Sequence, residues 1–284
     1  MMIQKEVIRN CLQVPMDEYH QKMVSNIGNW RVLVDASKKI LSGEKVDEAQ
    51  YPDFFSANIK MMNLIMEKTS ESTWDWSDPA IQGAYKEIAD SAAYKMFEET
   101  TIALVAAILK KVSVGTLLEV GTGPGHLTEA LCSDMTHNNI SVPIIVSDRA
   151  AAVEQTAERL RGAFPHLTIH DFVWDVKNDA PSRLLAKCKK PVLLYERFSI
   201  PYGGYDSINR IAPVADIMIM NEDLNLTGEE EAFDIIYGKI GAQFFTFSET
   251  EKYLKQHFSF VYSCDEKTVK TIDAPVANFI LAMK

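Results

Sequence analysis

Cysteine is scarce in this chain of 284 residues, with only Cys11, Cys132, Cys188 and Cys264. They lie far apart and match neither a disulfide framework nor a zinc pattern. Such usage is expected of a reducing, cytoplasmic compartment. Long apolar runs are also missing. No stretch reaches the roughly 18 apolar residues of a membrane span, so no transmembrane helix is expected. The opening Met1-Met2-Ile3-Gln4-Lys5-Glu6 lacks the apolar core of a signal peptide. Positive charge is in deficit, with 29 Lys and Arg against 39 Asp and Glu and a net charge of −10. A surface of that sign repels phosphate backbones, so nucleic acid and membrane are not expected partners. The short basic run Lys187-Cys188-Lys189-Lys190 reads as a helix end that complements the helix dipole. Histidine is sparse as well. His166 and His170 would share a metal only on a helix; here they read as loop and strand, so no metal site is expected.

What the chain does have is one dense signal, Leu117-Leu118-Glu119-Val120-Gly121-Thr122-Gly123-Pro124-Gly125-His126. An apolar strand runs into an acid, three glycines alternate, and a helix begins. Glycine permits positive φ and has no Cβ to block a ligand. The helix start offers unpaired N–H groups and the positive end of a dipole. A dinucleotide fingerprint reads G-x-G-x-x-G. Counted from Gly121 that pattern requires glycine at position 126, where His126 stands. Glu119 adds a carboxylate where a cationic amino group could sit. His126 itself reads as a helix-terminal residue rather than a base.

Further along, Val142–Ser147 reads as a strand that ends in Asp148, 23 residues after Gly125. An acid there meets ribose hydroxyls in nucleotide-binding α/β folds; helix N-capping is the competing role. Arg149 follows, a candidate neighbour of such a ligand's base. From residue 113 strands and helices alternate, which implies a parallel sheet covered on both faces. Strands are expected near 115–120, 142–147, 167–173, 191–196, 215–221, 258–264 and 275–283, with the last two joined as a hairpin through Asp265–Ala274. Helices are expected near 126–136, 150–162, 180–188, 204–211 and 228–256, the last opened by a capping box at Thr227-Gly228-Glu229-Glu230.

Residues 1–112 carry apolar positions at helical spacing over 3–14, 16–41, 54–69 and 79–112. Ser77-Asp78-Pro79 is a helix start, a capping side chain followed by proline in the first turn. Eight of the twelve methionines precede residue 100. Methionine fills irregular cores and adapts to varied apolar ligands, so this half reads as a helical core or as a substrate-shaping lid. Its aromatic residues Trp30, Tyr51, Trp74, Trp76, Tyr85 and Tyr94 are candidates to line an acceptor pocket, Tyr85 and Tyr94 foremost, although core packing is the better explanation of any single one.

Glu119-Val120-Gly121-Thr122-Gly123-Pro124-Gly125 resembles the first motif of the class I S-adenosylmethionine (SAM)-dependent methyltransferases, and the resemblance covers residues ~113–284. It implies an α/β fold with a doubly wound, mostly parallel seven-stranded Rossmann-like sheet at 113–284, and the helical residues 1–112 then read as an N-terminal cap and acceptor-binding region. It implies SAM as cofactor and S-adenosylhomocysteine (SAH) as product. Gly121, Gly123, Gly125, Glu119, Asp148, Arg149 and Tyr195 then face the cofactor. In the run Thr168–Val176, Asp175 takes the acid that accepts the adenine amino group, with Trp174 or Val176 flanking the ring and Asp171 as fallback. The run from Gly121 to Asp179 is loosely similar to the carbon-methyltransferase domains of polyketide synthases. Those domains carry a basic histidine after the fourth strand; here the segment is Leu193–Tyr202, without histidine. The Asn-Pro-Pro-Tyr of many amino methyltransferases is absent too, and Ala212-Pro213-Val214 replaces the usual Gly-Gly.

Ligands of open α/β sheets sit at the carboxyl ends of the strands. Glu196 and Arg197 emerge there, with Tyr202 in the following loop and Glu222 and Asp223 from the fifth strand. A carboxylate of raised pKa is a candidate base, and an arginine can grip an acceptor carboxylate or enolate; a plain Glu196–Arg197 ion pair is the rival reading. The expected protein is a methyltransferase for a small or carrier-tethered organic acceptor, methylated on carbon, oxygen or nitrogen in natural-product metabolism, with a homodimer as a compatible assembly. The alternatives are an NAD-dependent oxidoreductase and a non-catalytic protein that works through partner binding.

Overall fold

The computed structural model describes residues 6–7, 10–11, 18, 31–68, 78–149, 151–197, 199–204, 206–224, 231–263 and 276–284. Trp30, Trp74, Trp76, the Thr227–Glu230 capping box and the Asp265–Ala274 connection lie outside these residues, as do most of the helices expected at 3–14 and at the start of 16–41.

Among the described residues the cap contains the helices α1 (Arg31–Leu41), α2 (Asp53–Lys68), α3 (Pro79–Asp90) and α4 (Ala92–Leu109). Asp78 caps α3 by accepting from the N–H of Ala80, with Pro79 in the first turn. One helix was expected over 79–112, but the chain breaks at Ser91. Its backbone is extended (φ −67°, ψ 151°), and its hydroxyl donates to the Ile88 carbonyl and accepts from the N–H of Tyr94. A short polar side chain that bonds its own backbone competes with helix continuation. The break lets α3 and α4 fold against each other, which brings Tyr85 to Tyr94.

The strands are β1 (Thr116–Val120), β2 (Ile144–Asp148), β3 (Ile169–Val173), β4 (Val192–Arg197), β5 (Ile217–Leu224), β6 (Phe260–Ser263) and β7 (Val276–Met283). They form one sheet in the order β3-β2-β1-β4-β5-β7-β6. β1 to β5 are parallel; β7 runs antiparallel between β5 and β6. This is the doubly wound seven-stranded α/β sheet expected. Helices α5 (His126–His137), α6 (Ala152–Ala163), α7 (Pro181–Leu185) and α8 (Ser207–Ile211) connect the parallel strands. The single helix expected over 228–256 is two, α9 (Glu231–Gly238) and α10 (Phe247–His257). Gly241 between them is left-handed, and Thr246 with Glu249 forms a capping box that restarts the helix.

Both faces of the sheet are buried, which explains the unbroken apolar strands. Alternation splits them into two cores. Leu118, Val120, Leu194, Met218 and Met220 pack with α8 and α10. Leu117, Leu193, Tyr195, Ile217 and Ile219 pack in a second core that continues through Phe97 and Ile59 into the cap. The cap therefore shares its core with the front of the sheet. Among the described residues no helix is long and apolar enough to cross a membrane.

Candidate active site

The strand order falls from β3 to β1 and rises again from β4, so the switch point lies between β1 and β4, and the turn after β1 opens there. The three glycines of the turn are all left-handed, with φ of 74°, 52° and 78° at Gly121, Gly123 and Gly125. They serve different needs. A Cβ at Gly121 would lie 2.3 Å from the Ser199 Cβ, and one at Gly125 would lie 2.5 Å from Thr156. A Cβ at Gly123 would meet nothing within 4 Å. Two glycines thus let the protein close on itself, while the middle one faces open space.

The turn is held from several sides. The N–H groups of Gly121 and Thr122 donate to the Ser147 carbonyl at 2.9 and 3.1 Å. Thr156 donates to the Gly123 carbonyl, and Arg159 to that of Pro124. Asp148 accepts from the N–H of Gly123 at 2.9 Å. The N-cap of α6 is Ala151, which makes no side-chain cap bond. Arg149 is exposed beside Asp148.

Glu119 is buried at the floor of the cleft, where its carboxylate accepts from the Thr128 hydroxyl. Burial pushes its pKa up to about 7, against the opposing pull of the Thr128 bond and the Arg197 charge. Tyr195, its register partner on β4, is fully buried beside it. Burial, and then the negative charge of Glu119, raise the Tyr195 phenol well above its ordinary value.

Arg197 lines the same cleft, with its side chain only 9% exposed. Its Nη2 pairs with Glu98 of α4 at 3.1 Å, and its guanidinium lies 4.2 Å from the centre of the Tyr94 ring. Nη1 is buried and has no hydrogen-bond partner among the described residues. Tyr94 is bonded through its hydroxyl to Tyr85, and the rings meet edge to face at 6.1 Å. Burial lifts the Tyr94 phenol well above its usual range, so it stays protonated.

These two tyrosines wall two cavities. One is the cleft, lined by Glu119, the glycine turn, the exposed His126 and Arg197. The other is an aromatic chamber between the cap and α9, lined by Phe54, Met61, Tyr202, Phe233, Tyr237 and Phe244 among others.

Several expected residues lie elsewhere. Glu196 points to the opposite face of the sheet from Arg197, fully buried, and accepts from the hydroxyl of Ser199 at 3.0 Å and its N–H at 3.3 Å. Ser199 also reaches the Val120 carbonyl, so Glu196 fastens the loop after β4 against the glycine turn instead of facing the cleft. No Glu196–Arg197 ion pair forms, because strand alternation separates the two. Trp174 does not flank the cleft either; it is buried in the core behind the sheet, and its indole N–H bonds the Ala180 carbonyl at 3.3 Å. Asp175 closes its own turn, accepting from the N–H of Lys177 at 2.9 Å and the amide of Asn178 at 2.6 Å. Asp171 pairs with Arg161. Tyr202 lines the chamber, not the cleft. Glu222 stands on β5 opposite Asn278, and its side chain, like that of Asp223, lies outside the described residues.

Sequence reasoning missed Glu98, Thr128, Ser199 and the chamber's Phe54, Phe233 and Phe244. Thr128 carried a faint signal, since a residue in the first turn of α5 turns back toward the strand that precedes it. Glu98 carried none, being 99 positions from its partner.

No protein-family model matches the chain, and no curated protein matches it in sequence. Solved structures do resemble it. The carbon-methyltransferase (CMeT) domain of the citrinin polyketide synthase superposes with a TM-score of 0.71 at 9% identity, over 99% of this chain and 98% of that one. The CurJ carbon methyltransferase gives 0.61 at 16% identity, over 87% and 69%. The apo form of the SAM-dependent methyltransferase SibL gives 0.50 at 11% identity, over 98% and 76%. With its strand order, its glycine turn after β1 and its helical cap, the chain has the fold of the SAM-dependent methyltransferases, carbon-methyltransferase domains of polyketide synthases among them.

Proposed function

We propose that the protein is a SAM-dependent methyltransferase of natural-product metabolism, acting on a small or carrier-tethered organic acceptor. The observation that carries this reading is Gly123. It is left-handed, open to the cleft and unneeded by the protein's own packing, between a buried carboxylate at Glu119 and the strand-end acid Asp148. Such a position leaves room for a ligand against the backbone. Glu119 suits the ammonium of an amino-acid moiety, and the helix start at His126 suits its carboxylate. Asp148 reaches the ribose hydroxyls by giving up Gly123. Arg149 flanks the same end of β2, and Asp175, after β3, meets the adenine only by giving up the bonds that close its own turn. When bound, SAM supplies a methyl group on a sulfonium that is open to direct displacement.

The chain's own part is positioning and charge control. The Tyr94 ring is fixed between Arg197 and Tyr85. The Nη1 of Arg197 is free to hold an oxygen of the acceptor, whichever of carbon, oxygen or nitrogen is the nucleophile. Glu119 is too deep, and too engaged with Thr128, to be the acceptor's base. Glu222 is the remaining carboxylate candidate from β5.

Calorimetric titration with SAH tests the reading. SAH is expected to bind one site and raise the melting temperature, since a ligand that binds only the folded state stabilises it, while NAD does neither. No heat and no shift with SAH would remove the methyltransferase reading; a response to NAD alone would favour the oxidoreductase.

A further inference from the structure

The two cavities that share Tyr85 and Tyr94 are opposites in chemistry, and the difference bears on the acceptor. We propose that the aromatic chamber is the acceptor site and that it selects an uncharged aromatic or aliphatic body; the assignment rests on the methyltransferase reading of the adjoining cleft.

No Lys, Arg, Asp, Glu or His is among the described residues that line the chamber. Asn58, Tyr237, Tyr85 and Tyr94 among its polar side chains are already hydrogen-bonded within the protein. The Asn58 amide donates to the Phe54 carbonyl at 2.8 Å and accepts from the Tyr237 hydroxyl at 3.2 Å. A charged group carried in would lose its water and find no counter-charge, which is strongly unfavourable. An apolar body loses no hydrogen bonds and gains contact with rings already set at mutual angles. Phe233 and Phe244 meet at 5.4 Å, and Tyr237 crosses Phe244 at 78°. Pockets of this kind favour shape and apolar area, with few polar groups to fix orientation.

The location fits that role. The chamber ends at Tyr85 and Tyr94, and the glycine turn lies on the other side of the same pair. An acceptor seated by its apolar body therefore presents one end past the tyrosine pair into the cleft, where Arg197 waits. The cap supplies α2, α3 and α4 to the chamber and the sheet half supplies α9, so neither half alone makes the site. Charge belongs to the cleft, and the chamber stays neutral.

Saturation-transfer NMR with p-cresol and its carboxylate counterpart p-toluate tests this on the full chain, with and without SAH. At neutral pH p-cresol is expected to bind at least about tenfold more tightly than p-toluate, because only the latter carries an unpaired charge into the chamber. Phe244→Asp at the chamber's partly exposed rim, and Met61→Trp filling its interior, are each expected to weaken p-cresol by about tenfold or more while SAH affinity stays within about twofold. Equal or tighter binding of p-toluate to the unmodified protein, or undiminished p-cresol binding to a folded variant, overturns the proposal. The unmodified comparison decides the matter even if a variant fails to fold. SAH binding without p-cresol binding removes the chamber and leaves the methyltransferase reading standing. The reverse removes the methyltransferase reading and leaves an apolar site.

Discussion

The cleft and the aromatic chamber share a wall and almost nothing else. The cleft is made mainly by one continuous stretch, Glu119 to Leu127, with Arg197 brought in from β4. The chamber is made by residues from Phe54 to Phe244, scattered over five segments. One holds buried charge and hydrogen-bonded backbone; the other holds rings. A local turn is under local steric rule, so its chemistry is written in adjacent residues. A chamber arises only where helices distant in sequence pack and leave a gap. The shared Tyr85–Tyr94 pair is where the two kinds of construction meet.

The sharpest way to break this comparison lies in the glycines. Gly121→Val combines a left-handed residue with a 2.3 Å clash, and is expected to destabilise the fold by about 4 kcal/mol in urea unfolding. Gly123→Val has space, so it should cost only about 1–2 kcal/mol of backbone strain. Its effect falls instead on the ligand, with SAH affinity reduced roughly a hundredfold, equivalent to about 2.7 kcal/mol. Equal stability losses for the two, or unchanged SAH affinity in Gly123→Val, would refute the division of labour within the turn.

The charged wall comes next. Arg197→Met strands Glu98 and removes the cation from the Tyr94 ring, with an expected loss of about 3 kcal/mol. Glu98→Gln on the same background should recover part of it, since the buried carboxylate no longer lacks its partner. A double variant as unstable as the single one would mean that Arg197 acts through packing alone.

Glu119 makes the cleft sensitive to pH in a way the chamber is not. Its folded pKa of about 7 lies above its ordinary 4.5. Between these values the folded state binds more protons than the unfolded one, so stability falls as pH rises through that window. The loss reaches at most about 3 kcal/mol by the upper end, at 1.36 kcal/mol per pH unit. Glu119→Gln should flatten the slope, as should saturating SAH, whose ammonium favours the ionised carboxylate. A wild-type profile parallel to that of Glu119→Gln would overturn the assignment.

The smallest effect concerns the shared wall. Ser91→Ala removes the cap between α3 and α4 and should cost about 1 kcal/mol. Because that break sets Tyr85 against Tyr94, p-cresol and SAH affinities should both weaken. A change in only one would show that the wall serves a single cavity.

The sheet was legible to within one to three residues at almost every strand, as with β1, expected at 115–120 and found at Thr116–Val120. Strands buried on both faces read as plain apolar runs, and turns with glycine or proline bound them. Helix continuity was less legible. The apolar period runs through Ser91 and through Gly241, and only tertiary packing decides that a capping side chain wins over one more turn of helix. Site residues divide along the same line. The glycine turn was read from adjacent residues. Trp174 and Glu196 stand at the ends of the expected strands but face away from the cleft, because alternation along a strand and the turn after it decides which way each side chain goes.

The sequence by itself determined the alternation of strands and helices, the left-handed glycine turn and the acid beneath it, because each rests on the steric limits of neighbouring residues. The tertiary structure alone decided that Glu98 meets Arg197, that Tyr85 meets Tyr94, and that an uncharged chamber opens beside a charged cleft. Those contacts join residues far apart in the chain, and the free energy that selects them is the burial of the cap against the front of the sheet.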